Sequence, residues 1–507
     1  MRWGKDVPVA STSSSPQCVM TEVAGRGYGQ PNSADLNYTF TQNYIKKPRT
    51  SQYITSMSNQ QTVQSKGIFH GLPVYPSSVK GLTAIITGAN GISGNYMLRV
   101  LSEAPERWTK IYCLSRRPPA IPNGLPAHAE HIALNFLKEP EEIAKVLEEK
   151  GVTADYVFFY SYVQAKPKEG GGLWSDAEEM CRVNSEPFCP ILLASVRAAR
   201  DLCRSLTSTG TLLRNFCSAL PLASIKPKRI MLQTGAKNYG VHLGPSAIPQ
   251  EETAPRVTLE PNFYYPQEDF LWSFCAEQGI DWNVCMPAGI LGAVPDAAMN
   301  LVFPLGVYAS VQKHLGEKLE FPSDLQAWEV NRCMSSSKMN GYMEEWAVLT
   351  GAAKNEKFNT MDGTTFTRGN HWPKLAKSYG VEYGLPSLDE SVYTVVKSKH
   401  DPPPRGFGPP ATYRIRFTLV DWAKQGRVQK AWTELTQKHN LTGGSLQQMD
   451  IDRIFGFTDG SLIGTSLDLT MNKARKMGWH GFVDSNDAIL QVLEEFVTLK
   501  MLPPLTA

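Results

Sequence analysis

Three glycines spaced three apart, Gly88, Gly91 and Gly94, stand in the run TGANGISG. An apolar stretch at residues 84–86 precedes them, and from Ile92 onward Met97, Leu98 and Leu101 fall on one side of a helix. Strand, glycine turn and helix in that order suit a dinucleotide. Gly88 takes the tight turn, Gly91 lets a pyrophosphate approach the backbone, and Gly94 lets the helix lie close to the strand. The amides around Ile92 and Ser93, at the positive end of the helix, are the expected phosphate donors. A second strand at residues 110–114 runs into Arg116 and Arg117. An acidic residue at that place would bind the free ribose 2′-hydroxyl of NAD, whereas two guanidiniums suit the extra phosphate of NADP. NADPH/NADP is therefore the expected cofactor.

The elements that must position these groups alternate along the chain. Residues 131–134 read as a third strand, with Asn135 and Phe136 at its end, where the adenine should lie. A Glu- and Lys-rich helix follows at 139–150, a fourth strand at 155–160, a fifth at 228–232, then residues 261–270 leading into a helix to about 278, and a sixth strand at 282–286. Such alternation predicts a doubly wound parallel sheet in an α/β fold. The segment KPKEGGGLW, residues 166–174, is a glycine loop beyond the fourth strand, read as a surface loop or a lid. A helix at 299–313 and a surface helix at 420–439 complete the reading.

One segment breaks the pattern. A helix at 176–184 meets Pro187 and Pro190, yet removing residues 185–210 puts Met180, Val183, Leu213, Phe216 and Leu220 at successive offsets of three, four, three and four. Residues 185–210 therefore read as an insertion within one helix, either a retained intron or a loop with its own short helix at 191–205. Residues 1–66 are rich in Ser, Thr, Gln and Asn, and are expected to form a disordered N-terminal extension, with Met57 a candidate start.

A chain of 507 residues with 42% hydrophobic and 20% charged residues has the make-up of a soluble globular protein. A net charge of +3 without a basic stripe argues against nucleic acid or a membrane surface as partner. Nine cysteines without a C-x-x-C pair point to reduced thiols in a cytoplasmic protein and not to a zinc site or disulfide scaffold. No apolar run approaches the roughly 20 residues of a membrane span. The expected partner is a small molecule, bound by a monomer or homodimer that needs no metal.

A tyrosine and a lysine one helical turn apart would set an ammonium beside a phenol for acid chemistry. Two Y-x-x-x-K strings occur, Tyr162 with Lys166 and Tyr393 with Lys397, a number expected by chance among 19 tyrosines. A pair in reversed order is better placed. Lys237 follows the fifth strand in LQTGAKNYG and Tyr264 opens a helix in NFYYPQED, both beyond strand ends on the ligand side.

These two runs, with TGANGISG, SRRPP, a Pro-x-x-Ile-x-Gly segment at Pro287, MNLVFPLGVYASVQKH, NEKFN and MNKARKMGWHGFVDS, resemble the progesterone 5β-reductase/iridoid synthase-like (PRISE-like) family, an atypical branch of the short-chain dehydrogenases/reductases. The resemblance spans about residues 81–502, interrupted at 185–210, and is nearest in wording to fungal members, some of them in secondary metabolism. It implies a Rossmann-like, extended fold in which an NADP-binding part (67–300) interleaves with a smaller, mostly helical substrate-binding part (301–507). It implies Tyr264 as catalytic phenol, Lys237 as its partner, and Ile290 among the cofactor contacts. The implied reaction is NADPH-dependent 1,4-reduction of the conjugated C=C of an enone. Asn238 stands where plant members usually have His, SYVQ lacks the Trp that follows the fourth strand there, and Asn135 replaces an acidic residue. A ketoreductase or epimerase on the same fold, or a non-catalytic NADP-binding module, are the alternatives.

Overall fold

Short apolar runs closed by turns become the strands of one parallel sheet in the computed structural model, which describes residues 62–122, 124–165, 168, 174–184, 212–296 and 299–506. A hairpin of β1 (Val63–Lys66) and β2 (Phe69–Pro73) leads into β3 (Leu82–Thr87), α1 (Ile92–Ser102), β4 (Trp108–Ser115), β5 (Ala129–Ala133), α2 (Pro140–Glu149) and β6 (Tyr156–Phe159). Then come α3 (Ala177–Asn184), α4 (Leu212–Leu222), β7 (Arg229–Gln233), α5 (Tyr264–Gln278), β8 (Asp281–Pro287), β9 (Gly289–Leu291), α6 (Val302–Leu315), β10 (Met334–Ser336), α7 (Ser337–Leu349) and β11 (Glu356–Thr360). The sheet order is β11-β8-β7-β6-β3-β4-β5, all parallel. Order reverses between β3 and β6, whose last residues Thr87 and Phe159 pair. In such sheets the ligand cleft lies beyond these strand ends.

Both faces of the sheet are covered, as a parallel sheet requires. One face packs Ala84, Ile86, Phe158 and Met231 against Met97 and Leu98 of α1 and Val348 of α7. The other packs Ile85, Val157, Ile230 and Val284 against Leu147 of α2, Phe216 of α4 and Leu271 of α5. A third core, with Trp346, Trp372, Trp432 and Trp479 nearly or wholly buried, joins α6 and α7 to the C-terminal helices. Among the described residues no helix is long and apolar enough to cross a membrane.

The doubly wound sheet matches the expectation, with three corrections. Residues 63–66, expected within the disordered extension, are a strand, because β2 gives β1 a partner and β2 in turn buries Phe69 and Leu72. A seventh strand, β11, comes from NEKFN and pairs with β8; its charged start hides it from a hydropathy reading, but Phe358, Asn359 and Thr360 are fully buried. The helix expected at 420–439 is two helices, Leu419–Ala423 and Gly426–His439, and it is not wholly a surface element: Val428, Ala431, Trp432 and Leu435 are buried. Residues 1–61 and 185–210 lie outside the described residues, and with them the insertion and the Met57 start. On its flanks Met180 packs with Ala165 and Phe263, whereas Leu213, Phe216 and Leu220 join the core under the sheet.

The glycine turn is held from below by α7, which lies on α1 at Gly341, where a Cβ would come within 2.9 Å of Val100 Cγ2. Gly341→Leu should overpack this contact and lower stability by about 1–3 kcal/mol, seen as a lower denaturant midpoint at unchanged slope. An unchanged midpoint would mean that Val100 yields freely.

Candidate active site

Gly88 adopts a φ of +63°, and a Cβ there would meet Tyr160 and Ser161 backbone atoms at 3.1 Å. Gly94 is tighter still: its Cβ would stand 2.5 Å from Gly88 O and 2.8 Å from Ala89 Cα, so turn and helix are in backbone contact. Gly91 donates its N–H to Gly88 O at 2.9 Å and opens α1 without a side-chain cap. The first hydrogen bond of α1 runs from Asn95 N–H to Gly91 O at 2.9 Å. Among the described residues, the amides of Ile92, Ser93 and Gly94 have no backbone acceptor, as the first turn of any helix dictates. Gly88, Gly91, Ile92, Ser93 and Gly94 line a cavity of about 1120 Å³. Unspent amides, a side-chain-free turn and that volume fit a dinucleotide.

Arg116, Arg117 and Ile290 line the same cavity. Asn135 and Phe136 do not. Phe136 is buried under the sheet, edge-on to Phe216 at 5.3 Å, and Asn215 Nδ2 donates to its carbonyl at 3.1 Å. Asn135 Oδ1 accepts from Leu137 N–H in an exposed turn. The strand ends earlier than expected, at Ala133, and the chain dives into the core before it can reach the cleft.

Lys237 sits in a short 3-10 turn, Ala236–Tyr239, directly after β7, and Tyr264 is the first residue of α5. Asn262 joins them: its Nδ2 donates to Lys237 O at 3.0 Å while its Oδ1 accepts from Tyr264 N–H at 3.1 Å. Tyr265 adds a second tie, since its hydroxyl donates to Asn238 O at 2.8 Å and accepts from Val257 N–H at 2.9 Å. Asn238, in the position where the plant members usually have His, spends its amide on Thr234 Oγ1 (3.1 Å) and buried Glu268 Oε1 (3.0 Å). Tyr265 is thus more than a core residue: it clamps the lysine turn to the tyrosine helix.

The Lys237 ammonium lies 4.4 Å from the Trp174 ring centroid, 5.3 Å from that of Phe263 and 5.9 Å from that of Tyr264. Those three rings line the cavity, whereas Lys237 does not. Among the described residues no carboxylate forms an ion pair with it. Burial lowers its pKa to about 8, a fall only partly opposed by Cys181 and Glu260. Burial alone pushes the Tyr264 phenol well above its ordinary value, so it is a neutral hydrogen-bond donor at neutral pH. Its hydroxyl has no protein partner among the described residues. It lies where a Cβ on Gly235 would be 3.4 Å away, so a glycine there leaves it room.

Sequence reasoning missed Trp174, Asn262, Gln233 and Asp296. Trp174 is the large apolar residue closing the 166–174 loop, most of which lies outside the described residues. Its Nε1 donates to the Tyr162 hydroxyl at 3.0 Å. Gln233, the last residue of β7, donates Nε2 to Ser93 Oγ at 2.9 Å and so ties that strand to the start of α1. Tyr162 lines the cavity, but its Y-x-x-x-K partner Lys166 lies outside the described residues. Tyr393 donates to Ser387 O, and Lys397 lies on an exposed hairpin strand; neither lines the cavity. Among the described residues no group of His, Cys, Asp or Glu could hold a metal ion.

The profile of the PRISE-like Rossmann-fold domain matches residues 192–398. The chain is 29% identical over 444 residues to an uncharacterized protein of Schizosaccharomyces pombe, covering 84% of this chain and 99% of that protein. It is 26% identical over 428 residues to the short chain dehydrogenase gsfE of Penicillium aethiopicum, covering 83% and 99%. With the 3-oxo-Delta(4,5)-steroid 5-beta-reductase of Arabidopsis thaliana it shares 26% identity over 439 residues, covering 84% and 95%. Glycine turn, seven-stranded parallel sheet and matched profile agree: the chain has a Rossmann-like fold, its residues 192–398 match the PRISE-like Rossmann-fold domain, and most of its length is similar to a short chain dehydrogenase.

Proposed function

We propose that this protein is an NADPH-dependent reductase of a C=C bond conjugated to a carbonyl in a small molecule. The observation that carries this reading is the free Tyr264 hydroxyl, backed by the Lys237 ammonium, opening into the cavity that the glycine turn and two arginines also line. The name of the Arabidopsis relative describes reduction of a 3-oxo-Δ4,5 steroid, a conjugated enone, and supports the same reaction type here.

The amides of Ile92, Ser93 and Gly94 would hold the pyrophosphate, and Arg116 and Arg117 a 2′-phosphate. When bound, NADPH supplies a hydride equivalent. Hydride addition at the β-carbon of an enone moves an electron pair onto the carbonyl oxygen, giving an enolate that a proton on the α-carbon completes. Tyr264 donates its hydrogen bond to that oxygen as the charge develops. The Lys237 ammonium, taken out of water, stabilises electron density on the phenol oxygen, so the donor strengthens as charge builds. The aromatic rings around the lysine keep water and counter-anions from quenching its field. Ketone reduction on the same residues would place hydride on the carbonyl carbon instead, and a paired assay with simple enones and ketones separates the two.

Tyr264→Phe should cut turnover roughly 10²- to 10³-fold with NADPH affinity nearly unchanged; full turnover would remove the phenol from the mechanism. Because Lys237 loses its proton near pH 8, kcat should fall as pH rises through that value, and Lys237→Met should flatten that limb while lowering the plateau. An identical limb in the variant assigns it to another group. Hydrogen bonds to charged groups contribute about 1.5–3 kcal/mol, and exposure of Arg117 puts it at the low end. Changing Arg116 and Arg117 together to Gln should therefore erode the NADP-over-NAD preference about ten- to hundredfold in the ratio of kcat/KM values. An unaltered ratio defeats that assignment.

A further inference from the structure

Arg117 has company at the rim of the cavity. Its Nη2 donates to Asp296 Oδ2 at 2.9 Å, and the other oxygen of that carboxylate, Oδ1, accepts from Arg453 Nη2 at 2.8 Å. The three side chains come from the turn after β4, from the loop after β9 and from the first turn of helix Ile451–Leu462, and all three line the cavity. Burial alone would raise the Asp296 pKa, but the hydrogen bonds from Arg453 and Arg117 outweigh it and hold the carboxyl below its ordinary value. Asp296 is therefore an anion at neutral pH. An anion on this arginine is at odds with a pocket meant for a dianionic phosphate: it repels the phosphate and occupies part of the guanidinium fork that would grip it.

We infer that Asp296 is a specificity-determining residue for the cofactor, competing with the 2′-phosphate for Arg117 and so limiting how strongly the chain prefers NADPH to NADH. The inference rests on the NADP reading above. Arg453 completes the arrangement. When the phosphate takes Arg117, the carboxylate keeps one cation, so helix Ile451–Leu462 stays fastened to the loop after β9. One turn further along that helix, Phe457 packs on Trp174 at 6.3 Å, and Trp174 covers the Lys237 ammonium. The ion-paired side chains are a third to two-thirds exposed, so the competition is that of a surface ion pair and its effect is a few-fold, not orders of magnitude.

Fluorescence titration of the full chain with NADPH and with NADH reads the ratio of the two dissociation constants. Asp296→Asn should lower the NADPH constant relative to that of NADH by three- to tenfold, and the charge-conserving Asp296→Glu should keep the original ratio within twofold. Arg453→Gln, which leaves the carboxylate wholly to Arg117, should shift the ratio the opposite way, an outcome that general loosening of the rim in both variants does not produce. In an Arg117→Gln background the Asp296→Asn gain should fall below twofold. An unmoved ratio in Asp296→Asn, or a gain undiminished without Arg117, overturns the inference. A wild-type chain that binds NADH tighter than NADPH overturns instead the NADP reading beneath it, and that result is seen before any substitution is made.

Discussion

A lysine ammonium removed from water and given aromatic faces in place of a carboxylate is under electrostatic strain, and the region around it is arranged to keep it there. A carboxylate partner would hold the proton on Lys237 firmly and cancel its field at the phenol. Trp174, Phe263 and Tyr264 offer ring faces, a weaker attraction that, with no ion-paired carboxylate among the described residues, leaves the charge only partly compensated. Burial lowers its pKa toward 8, a fall that Cys181 and Glu260 only partly oppose. Burial of Tyr264 works in the opposite sense and keeps the phenol protonated. One group is thus eased toward losing its proton and the other held from losing it, by the same low-dielectric surroundings.

Such a pair needs a frame that fixes two segments remote in the chain. Asn262 does this with one side-chain amide, accepting from the first helical N–H of Tyr264 and donating to the carbonyl of Lys237. Tyr265 and Asn238 add a parallel tie that ends on Glu268, itself paired with Lys357 at 2.8 Å on β11. The late-arriving seventh strand is therefore part of the site's support. Its distance along the chain from β8 shows why residues beyond 300 cannot be treated as an appendage to the nucleotide-binding part.

The glycine turn imposes the other constraint. With a Cβ at Gly94 only 2.5 Å from Gly88 O, α1 can pack against the turn as it does only if no side chain stands there. This was legible because the requirement is local: three residue types, fixed spacing, and apolar periodicities on either side. That the arginines after β4 would face the cavity was legible for the same reason. Phe136 was misread because where a strand leaves the sheet is decided by its neighbours. Phe159 and Phe216 offer it an apolar berth under β6 that no reading of residues 131–136 contains. The hairpin at residue 63 was misread likewise, since a polar strand forms only when another strand accepts its hydrogen bonds.

By itself, the sequence indicated the alternating core of the parallel sheet and the glycine turn, because periodicity and motif spacing are encoded over a few consecutive residues, and it pointed to Lys237 and Tyr264 by their place beyond strand ends and by family resemblance. Tertiary structure alone decided that Trp174 roofs the lysine, that Asn262 couples it to the phenol, and that Asp296 stands between Arg117 and Arg453. These are contacts between segments separated by tens to hundreds of residues. Their geometry follows from how the sheet twists and the helices pack, and no local pattern carries that information.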